Sequence, residues 1–465
     1  SLHARLPGRL HHDGNGRQRQ TIHELDRRSP EPEQGGRGIN TLKGPTLSEA
    51  LASGDNLRTD GKRLWDSLME MAQIGRTEKG GVCRLALTDL DKDSRDLFAR
   101  WCEEAGCTIT VDAMGNMFAR RPGRNNDLPP IMTGSHLDSQ PTGGKYDGVY
   151  GVLAGLEVVR TLNDLNIETE APVEVAVWTN EEGSRFAPAM VASGVFAGVF
   201  DLDYGLSRAD QDGKTMGEEL QRIGYAGDQP VGGREVGAYF EAHIEQGPIL
   251  ENEEKTVGVV TGAQGQRWYE ITLTGQEAHA GPTPMLSRKD ALVGAARMVG
   301  EINRIGLANQ PNACATVGLL QVSPNSRNVI PGTVFFCVDL RHPNDDVLAG
   351  MDAELREVAA KIATDIGLEM ALEEIWYSPP VVFDEACVSA VRGAAARGGF
   401  KYMDIVSGAG HDACYLARVA PTAMIFVPCE NGISHNEIEE ATPDDLEAGC
   451  NVLLQAMIER ANAGV

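Results

Sequence analysis

Long apolar runs are missing from this 465-residue sequence: no segment is long and apolar enough to cross a bilayer, and no apolar signal core stands near the start. Positive charge is also scarce, because 42 Lys and Arg residues face 67 Asp and Glu, a formal net charge of −25 at pH 7. Nucleic acid and anionic membranes attract cationic surfaces. The sequence therefore predicts a soluble protein that binds neither.

The nine cysteines form no Cys-x-x-Cys pair, show no regular spacing and are odd in number. This pattern favours reduced thiols in a cytoplasmic chain over a disulfide framework, and it gives no support to a Cys-bound structural zinc. The chain is longer than one ordinary domain, and its apolar content of 42% suffices for a sizeable core. Two or more domains are expected.

The first 46 residues differ in composition from the rest of the chain. They are rich in Arg, Gly, Pro and His and contain few apolar residues. Chains of that composition cannot bury enough apolar surface to fold. Residues 1–46 are therefore predicted to be a disordered tail, or an extension that reflects the choice of start site.

Apolar strands alternate with helical patterns over much of the remaining chain. Each of the segments PIMTGSHLDS (130–139), APVEVAVWTNEEGSRF (171–186) and APTAMIFVPCENGISHNE (420–437) predicts a short apolar strand followed by a polar loop. Residues 149–164 have apolar side chains at helical spacing, and Thr442 followed by Pro443 predicts the start of the last helix. Such alternation predicts an α/β fold with a mixed sheet flanked by helices, whose site lies along the strand ends.

The middle of the chain follows a different order. Residues 262–376 read as strand, helix, strand, strand, helix and strand, the βαββαβ order of a small α+β sandwich. We therefore predict a discontinuous catalytic domain formed by residues 47–261 and 377–465, into which a second domain of residues 262–376 is inserted.

Several loops at predicted strand ends carry histidine and carboxylate side chains. These residues are His136, Asp138, Asp147, Glu181, Glu182, His243 and His435. Singly, each has an ordinary explanation: a histidine can be a hydrogen-bonded surface residue, Asp147 can cap the helix that follows, and the Glu pair can be solvated. As a set they suit Zn²⁺, Mn²⁺ or Co²⁺, with one carboxylate bridging two ions and a spare glutamate to take a proton from an activated water.

Seven motifs in unbroken order carry a resemblance to a known family. They are GSHLDSQPTGGKYDGVYG, WTNEEGSRF, EAHIEQGPIL, GQEAHAGPTPM, SRNVIPG with VDLRH, SGAGHDA and ISHNE. Together they resemble the amidase/carbamoylase branch of the dinuclear metal aminoacylase–carboxypeptidase superfamily. That branch includes N-carbamoyl-L-amino-acid hydrolase, β-ureidopropionase and allantoate amidohydrolase. The resemblance covers essentially all of residues 60–460.

The resemblance implies a role for each residue of the set. Asp147 would bridge two divalent ions; His136 and His243 would complete one site, and Glu182 and His435 the other. Glu181 would be the general base, and Asp138 would orient the His136 imidazole. The ions could be Zn²⁺, Mn²⁺, Co²⁺ or Ni²⁺. Peptidase relatives usually carry an acid where this chain has His243, so the resemblance favours the amidase branch.

Substrate contacts are implied mainly for the inserted domain. Arg341 would clamp a substrate carboxylate with Asn328 beside it, and His279 would stabilise the oxyanion. Gln246 would bind the carbamoyl amide, and His411 would have either a substrate-side role or a structural hydrogen bond. The inserted domain would also act as a lid and form a homodimer, in which His279, Asn328 and Arg341 reach the metals of the neighbouring subunit.

The activity implied is that of a metal-dependent amidohydrolase. It would remove the N-carbamoyl group from an N-carbamoyl amino acid, of the α-L or the β-alanine type, to give the amino acid, CO₂ and ammonia. Allantoate amidohydrolase is the alternative within the branch, and an aminoacylase or peptidase is disfavoured by His243. A catalytically silent binding homologue is a further alternative, but the five implied ligands and Glu181 are all present.

Overall fold

The computed structural model describes residues 57–463, so the predicted tail of residues 1–46 lies outside the described residues. Within the described part, no helix is long and apolar enough to cross a membrane. The chain folds into a large mixed sheet, a four-stranded antiparallel sheet and a two-stranded ribbon, with helices packed around them. The predicted α/β fold with a mixed sheet flanked by helices is confirmed.

The helices are α1 (Gly61–Met71), α2 (Asp89–Glu104), α3 (Val149–Asp164), α4 (Val191–Phe196), α5 (Leu202–Leu206), α6 (Met216–Ile223), α7 (Ile249–Asn252), α8 (Ala291–Ala308), α9 (Asp345–Ile366), α10 (Glu385–Arg397), α11 (Asp412–Leu416) and α12 (Pro443–Ala461). The strands of the large sheet are β1 (Thr108–Val111), β2 (Met117–Arg121), β3 (Ile131–His136), β4 (Val173–Trp178), β5 (Ala238–Ile244), β6 (Val257–Ala263), β13 (Val381–Val382), β14 (Tyr402–Ser407) and β15 (Thr422–Val427). The other strands are β7 (Gly265–Thr274), β8 (Ala278–His279), β9 (Cys314–Ser323), β10 (Val329–Ile330), β11 (Thr333–His342) and β12 (Glu369–Ser378).

Four strands at the centre of the large sheet run in the same direction. The sheet order is β1-β2-β4-β3-β5-β15-β6-β13, with β14 also paired to β6, and β4, β3, β5 and β15 are mutually parallel. All residues of these four strands are buried, which agrees with the mostly apolar sequences of β4 and β15; β3 and β5 also bury polar residues, among them Ser135 and Glu241. Their carboxyl ends meet at one edge, so the loops that follow them are brought together.

The helices α3 and α12 stabilise this edge of the sheet. Helix α3 packs on β3, β4 and β5, and α12 packs on α3 and β15. The predicted start of α12 is confirmed: Thr442 is the N-cap, its hydroxyl accepts a hydrogen bond from the Asp445 N–H at 3.1 Å, and Pro443 is the first helical residue. This cap fixes the end of the loop that follows β15, the loop that carries His435.

The four-stranded sheet has its own hydrophobic core. Its strand order is β12-β7-β11-β9, all antiparallel, and the chain order β7, α8, β9, β11, α9, β12 is the predicted βαββαβ order, with the short strand β10 before β11. One face packs on α8 and α9 through buried side chains such as Tyr269 and Phe336. The chain leaves the large sheet after Ala263 and returns to it at Val381. The predicted domain boundaries and the lid and dimerisation roles stay predictions.

Candidate active site

The five predicted metal ligands converge at the carboxyl ends of the parallel strands. His136 ends β3, His243 is the last residue but one of β5, Glu182 follows β4, and His435 lies in the loop after β15. Asp147 comes from the segment between β3 and α3. Residues far apart in sequence therefore meet because the sheet is parallel at this point.

The Asp147 carboxylate lies between two groups of potential ligands. Its Oδ1 is 3.2 Å from His243 Nε2 and 3.6 Å from His136 Nε2, and its Oδ2 is 3.3 Å from His435 Nε2. His435 Nε2 is in turn 3.4 Å from a carboxylate oxygen of Glu182. In each group the ligand atoms lie within 4.8 Å of one another, so two ions could share one aspartate.

Helix capping does not explain Asp147. The N-cap of α3 is Gly148, and no side chain donates or accepts a capping hydrogen bond there. Gly148 has φ +68°, and a Cβ at this position would lie 2.3 Å from the imidazole of His136. Glycine is therefore required for the chain to pass this close to the histidine and to direct the Asp147 side chain towards the cluster.

Two of the histidines are held in the tautomer that metal ligation needs. His136 Nδ1 lies 2.9 Å from the backbone carbonyl oxygen of Asp138, and His243 Nδ1 lies 2.9 Å from that of Ile244. A carbonyl oxygen can only accept, so each Nδ1 carries a proton, and the Nε2 that faces Asp147 is the atom left to bind a metal ion once it has lost its own proton. The residues present therefore fit a divalent metal.

Burial and charge perturb every titrating group of the cluster. Burial alone would raise the pKa of Asp147, but hydrogen bonds with the histidines hold it well below its usual range. Burial and the nearby Asp147 carboxylate raise the pKa of Glu182 to about 7. A hydrogen bond with Asp147 raises the pKa of His435 to about 9 despite burial. Several carboxylates are thus confined in a small buried volume, a charge that divalent cations would balance.

Glu181 lies beside the cluster but belongs to neither group of ligands. It is buried, lines the same cleft, and has a carboxylate oxygen 3.4 Å from His136 Nε2. Burial raises the pKa of Glu181 well above its usual range, and the carboxylates of Asp412 and Glu182 reinforce this against the opposing effect of His136. A carboxylate placed in this way can accept a proton and return it near neutral pH.

Asp138 contacts the cluster through both its backbone and its side chain. The hydrogen bond that orients His136 goes to the backbone carbonyl of Asp138, and the Asp138 carboxylate is 3.9 Å from that imidazole. The two carboxylate oxygens of Asp138 accept hydrogen bonds from the backbone N–H groups of Glu181 and Glu182, each at 3.3 Å. The carboxylate therefore holds the two glutamates in place rather than the histidine.

Two residues that the sequence did not single out also support the ligands. Gln140 donates to both Glu182 carboxylate oxygens, from its backbone N–H at 3.0 Å and its side-chain amide at 2.7 Å. Glu439 is buried and accepts from the backbone N–H groups of Tyr146 and Asp147, at 3.0 and 3.2 Å. Glu439 stands in the acidic run EIEE, which has the composition of a solvated surface, so no local signal marks it.

The cleft of about 310 Å³ has two walls. The large sheet and its loops contribute Glu181 and every candidate ligand except His136, and the four-stranded sheet contributes Gln266, Trp268, Arg341 and Trp376. The guanidinium of Arg341 donates to Asp339 from Nε at 3.0 Å and from one terminal nitrogen at 2.8 Å. Its other terminal nitrogen donates to the Gly408 carbonyl at 2.9 Å. Arg341 thus lines the cleft of its own chain, whereas the resemblance implied that it reaches the metals of the neighbouring subunit.

Gln246 and His411 also line the cleft. The Gln246 amide donates to Asp147 Oδ2 at 3.0 Å, while its carbonyl oxygen is buried without a hydrogen-bond partner among the described residues. Gln246 and His435 are both non-glycine residues with positive φ, 58° and 54°, a strained geometry that is concentrated at functional sites. His411 hydrogen-bonds Ser407 at 3.0 Å, and its ring centroid is 4.6 Å from that of His243.

His279 and Asn328 lie together but do not line this cleft. The antiparallel pairing of β8 and β10 places His279 opposite Val329, and the Ala280 N–H donates to the Asn328 carbonyl at 2.9 Å. Both side chains are exposed. The Gly281 N–H donates to His279 Nδ1 at 3.0 Å, which leaves the proton on Nε2.

Residues 132–459 match the model of peptidase family M20/M25/M40. The chain belongs to this family. A member named N-carbamoyl-L-amino-acid amidohydrolase, from Rhizobium meliloti, is 54% identical over 410 residues, which is 88% of this chain and 99% of the relative. The allantoate amidohydrolase of Bacillus subtilis is 33% identical over 398 residues, 85% of this chain and 97% of that protein.

A solved structure supports the same placement within family M20/M25/M40. The crystal structure of an amidase of the hydantoinase/carbamoylase family from Burkholderia multivorans is 72% identical to this chain, with a TM-score of 0.86. It covers 88% of this chain and 100% of its own. The resemblance to the amidase/carbamoylase branch, drawn from seven motifs, is confirmed.

Proposed function

We propose that this chain is a metal-dependent amidohydrolase that converts an N-carbamoyl amino acid into the amino acid, CO₂ and ammonia. One observation carries the proposal: a single cleft is lined by four of the five candidate ligands and Glu181 from the loops of the large sheet, and by Arg341 from the four-stranded sheet. A ureido acid has a hydrolysable carbonyl at one end and a carboxylate at the other. The two walls match these two ends, and the relative from Rhizobium meliloti supports the same activity.

The wall with Arg341 would bind the carboxylate. A guanidinium has five N–H donors, and the contacts with Asp339 and Gly408 occupy three of them, which leaves one on each terminal nitrogen. Asp339 also holds the guanidinium in one orientation. Two donors on a fixed plane are suited to a bidentate carboxylate contact.

The opposite wall would hold two divalent ions, one with His136 and His243, the other with Glu182 and His435, both shared with Asp147. Zn²⁺, Mn²⁺, Co²⁺ and Ni²⁺ all suit this donor set. Such ions would supply Lewis-acid chemistry, which makes water a stronger nucleophile at neutral pH and polarises the carbonyl. Glu181 takes the proton from the attacking water and returns it to the departing nitrogen, and the Gln246 amide binds the carbamoyl group.

The remaining substrate contacts would come from a second copy of the chain. His279 and Asn328 are exposed and lie outside their own cleft, and the protonated His279 Nε2 is a donor suited to an oxyanion. The segment between His279 and α8 also exposes Met285 and Leu286, at 73% and 103% of full exposure. Exposed apolar side chains beside two polar ones support a homodimer through the inserted domain, with Arg341 acting in its own chain.

A substrate panel tests the proposed function. Metal-free protein is reloaded separately with Zn²⁺, Mn²⁺, Co²⁺ and Ni²⁺, and ammonia release is measured from N-carbamoyl-L-amino acids, N-carbamoyl-β-alanine and allantoate, with N-acetyl-amino acids and dipeptides as controls. We expect ureido acids to be hydrolysed and the controls to be inert. The Bacillus subtilis relative makes allantoate the second candidate substrate. Cleavage of dipeptides or N-acetyl-amino acids alone would refute the proposal.

Replacing Arg341 by Lys is expected to weaken substrate binding rather than chemistry. Lysine keeps the charge but loses the planar pair of donors. We expect KM for an N-carbamoyl-L-amino acid to rise about tenfold or more with a small change in kcat. We measure KM of both enzymes for the N-carbamoyl-L-amino acid and for the analogue in which a carboxamide replaces the carboxylate. Arg341→Lys should have little effect on KM for the carboxamide. Arg267→Lys, on the neighbouring strand, is the matched control, because Arg267 pairs with Glu374 outside the cleft.

A further inference from the structure

The cleft contains an aromatic corner that the proposed chemistry does not use. Trp268 on β7 and Trp376 on β12 lie opposite each other, with ring centroids 4.9 Å apart and ring planes at 69°. Both line the cleft, yet they are 40% and 37% exposed. Large apolar side chains left open in a concave site commonly contact a ligand.

The strand register places this corner next to the carboxylate anchor. Arg341 pairs with Gln266, and Asp339, two residues earlier on the same face of β11, pairs with Trp268. Arg341 and Trp268 are therefore diagonal neighbours on one sheet face, roughly 7–8 Å apart by the usual geometry of an antiparallel pair. A group attached to the carbon that bears the carboxylate would lie over the two indoles.

Apolar residues from outside the four-stranded sheet line the same cleft. Met190 and Ala409 line the cleft together with the tryptophans. The Met190 backbone N–H donates to the Glu181 carbonyl at 2.7 Å, so this methionine is fixed relative to Glu181. Its terminal methyl packs against Gly410, where an added Cβ would lie 2.9 Å from that methyl carbon. An apolar side chain entering the cleft would thus meet apolar atoms besides those of the tryptophans.

We propose that Trp268 and Trp376 form the side-chain subsite of the enzyme, and that its substrates are N-carbamoyl-L-amino acids with aromatic or long apolar side chains. The inference rests on the proposed function. An aromatic ring fits a corner of two perpendicular indoles through stacked and edge-to-face contacts. N-carbamoyl-β-alanine has no side chain to place there, and the second ureido group of allantoate is polar.

The test compares substrates that differ only in the side chain. We measure kcat/KM for N-carbamoyl-L-phenylalanine, N-carbamoyl-L-tryptophan, N-carbamoyl-L-aspartate and N-carbamoylglycine with the metal-loaded enzyme and with Trp268→Leu and Trp376→Leu. We expect the aromatic substrates to exceed N-carbamoylglycine at least about tenfold in the unaltered enzyme. Each leucine variant should reduce kcat/KM for the aromatic substrates by about 5- to 30-fold and change that for N-carbamoylglycine less than about threefold.

Tyr377→Leu is the matched control. Tyr377 follows Trp376 on the same strand and is 36% exposed, but its hydroxyl donates to Asp345 and it does not line the cleft. This variant should leave the substrate ratio unchanged. An unaltered enzyme that prefers glycine or aspartate, or tryptophan variants that lose activity equally on all four substrates, would overturn the subsite. Hydrolysis of N-carbamoyl-β-alanine but of none of the four would also overturn the subsite, and failure to hydrolyse the four and N-carbamoyl-β-alanine alike would instead refute the proposed function.

Discussion

Replacing Glu181 by Gln is expected to lower kcat about a thousandfold while the protein still binds its metal ions. The amide has nearly the shape of the carboxylate but cannot take a proton from water or return one to nitrogen. Glu181 belongs to neither group of potential ligands, so its replacement should leave both groups intact. The measurements are kcat with N-carbamoyl-L-phenylalanine and N-carbamoylglycine, and metal content after dialysis, for the variant and the unaltered protein.

Asp147→Asn is the comparison that separates a proton acceptor from a ligand. Asp147 is common to both groups, so its replacement should reduce metal content together with activity. Glu181→Gln should reduce activity alone. Turnover close to that of the unaltered protein in Glu181→Gln would remove the residue from the mechanism, and a comparable loss of metal in both variants would make Glu181 a ligand.

Much of the fold could be predicted because local sequence and tertiary environment agree. The strands β4 and β15 are buried on both faces and have mostly apolar sequences, which are easy to recognise. Strand β3 is buried as well, but only Ile131 and Met132 at its start are apolar. Thr442 and Pro443 predict a helix start because threonine is a favourable N-cap and proline is tolerated in the first turn. Helix α12 begins at this position. The βαββαβ order could also be recognised, because the apolar residues of each element recur at the spacing of a helix or of a strand.

The convergence of the candidate ligands could be predicted because these residues occur in compact motifs, whereas the residues that support them could not be predicted. Glu439 receives hydrogen bonds from Tyr146 and Asp147, almost 300 residues earlier in the sequence. Nothing in an acidic run indicates such a distant contact. Asp138 is a similar case, because its position beside His136 indicates contact but not whether the carbonyl or the carboxylate makes it. Closeness in sequence predicts which residues contact each other, but the atoms that form the contact depend on the fold.

The placement of the substrate residues has a consequence for the assembly. Arg341 lines the cleft of its own chain, but His279 and Asn328, which the resemblance assigns to the same substrate, do not. Both are held on the short β8–β10 ribbon, which belongs to the same inserted segment as Arg341. If these three residues contact one substrate molecule, the cleft of each chain is completed by the ribbon of another. The proposed homodimer therefore predicts a site shared between two subunits.

A heterodimer of two inactive variants should regain about half of the unaltered activity, because one of its two equivalent sites is restored. Glu181→Gln and His279→Ala are each expected to reduce kcat by two orders of magnitude or more. The two chains carry different affinity tags, are expressed together, and the doubly tagged dimer is purified. One site then combines an unaltered Glu181 with an unaltered His279 from the partner, and the other site has both replacements.

A site formed entirely by one chain predicts that the heterodimer stays inactive. If His279 served the cleft of its own chain, each site of the heterodimer would contain one replacement, and activity would stay at the level of the variants. A second heterodimer, of Glu181→Gln with Arg341→Ala, tests whether Arg341 acts in its own chain, as its position in that cleft indicates. There, a site with unaltered Glu181 always has the altered Arg341, so no activity should return. Recovery with His279 and none with Arg341 would establish which residues cross the interface.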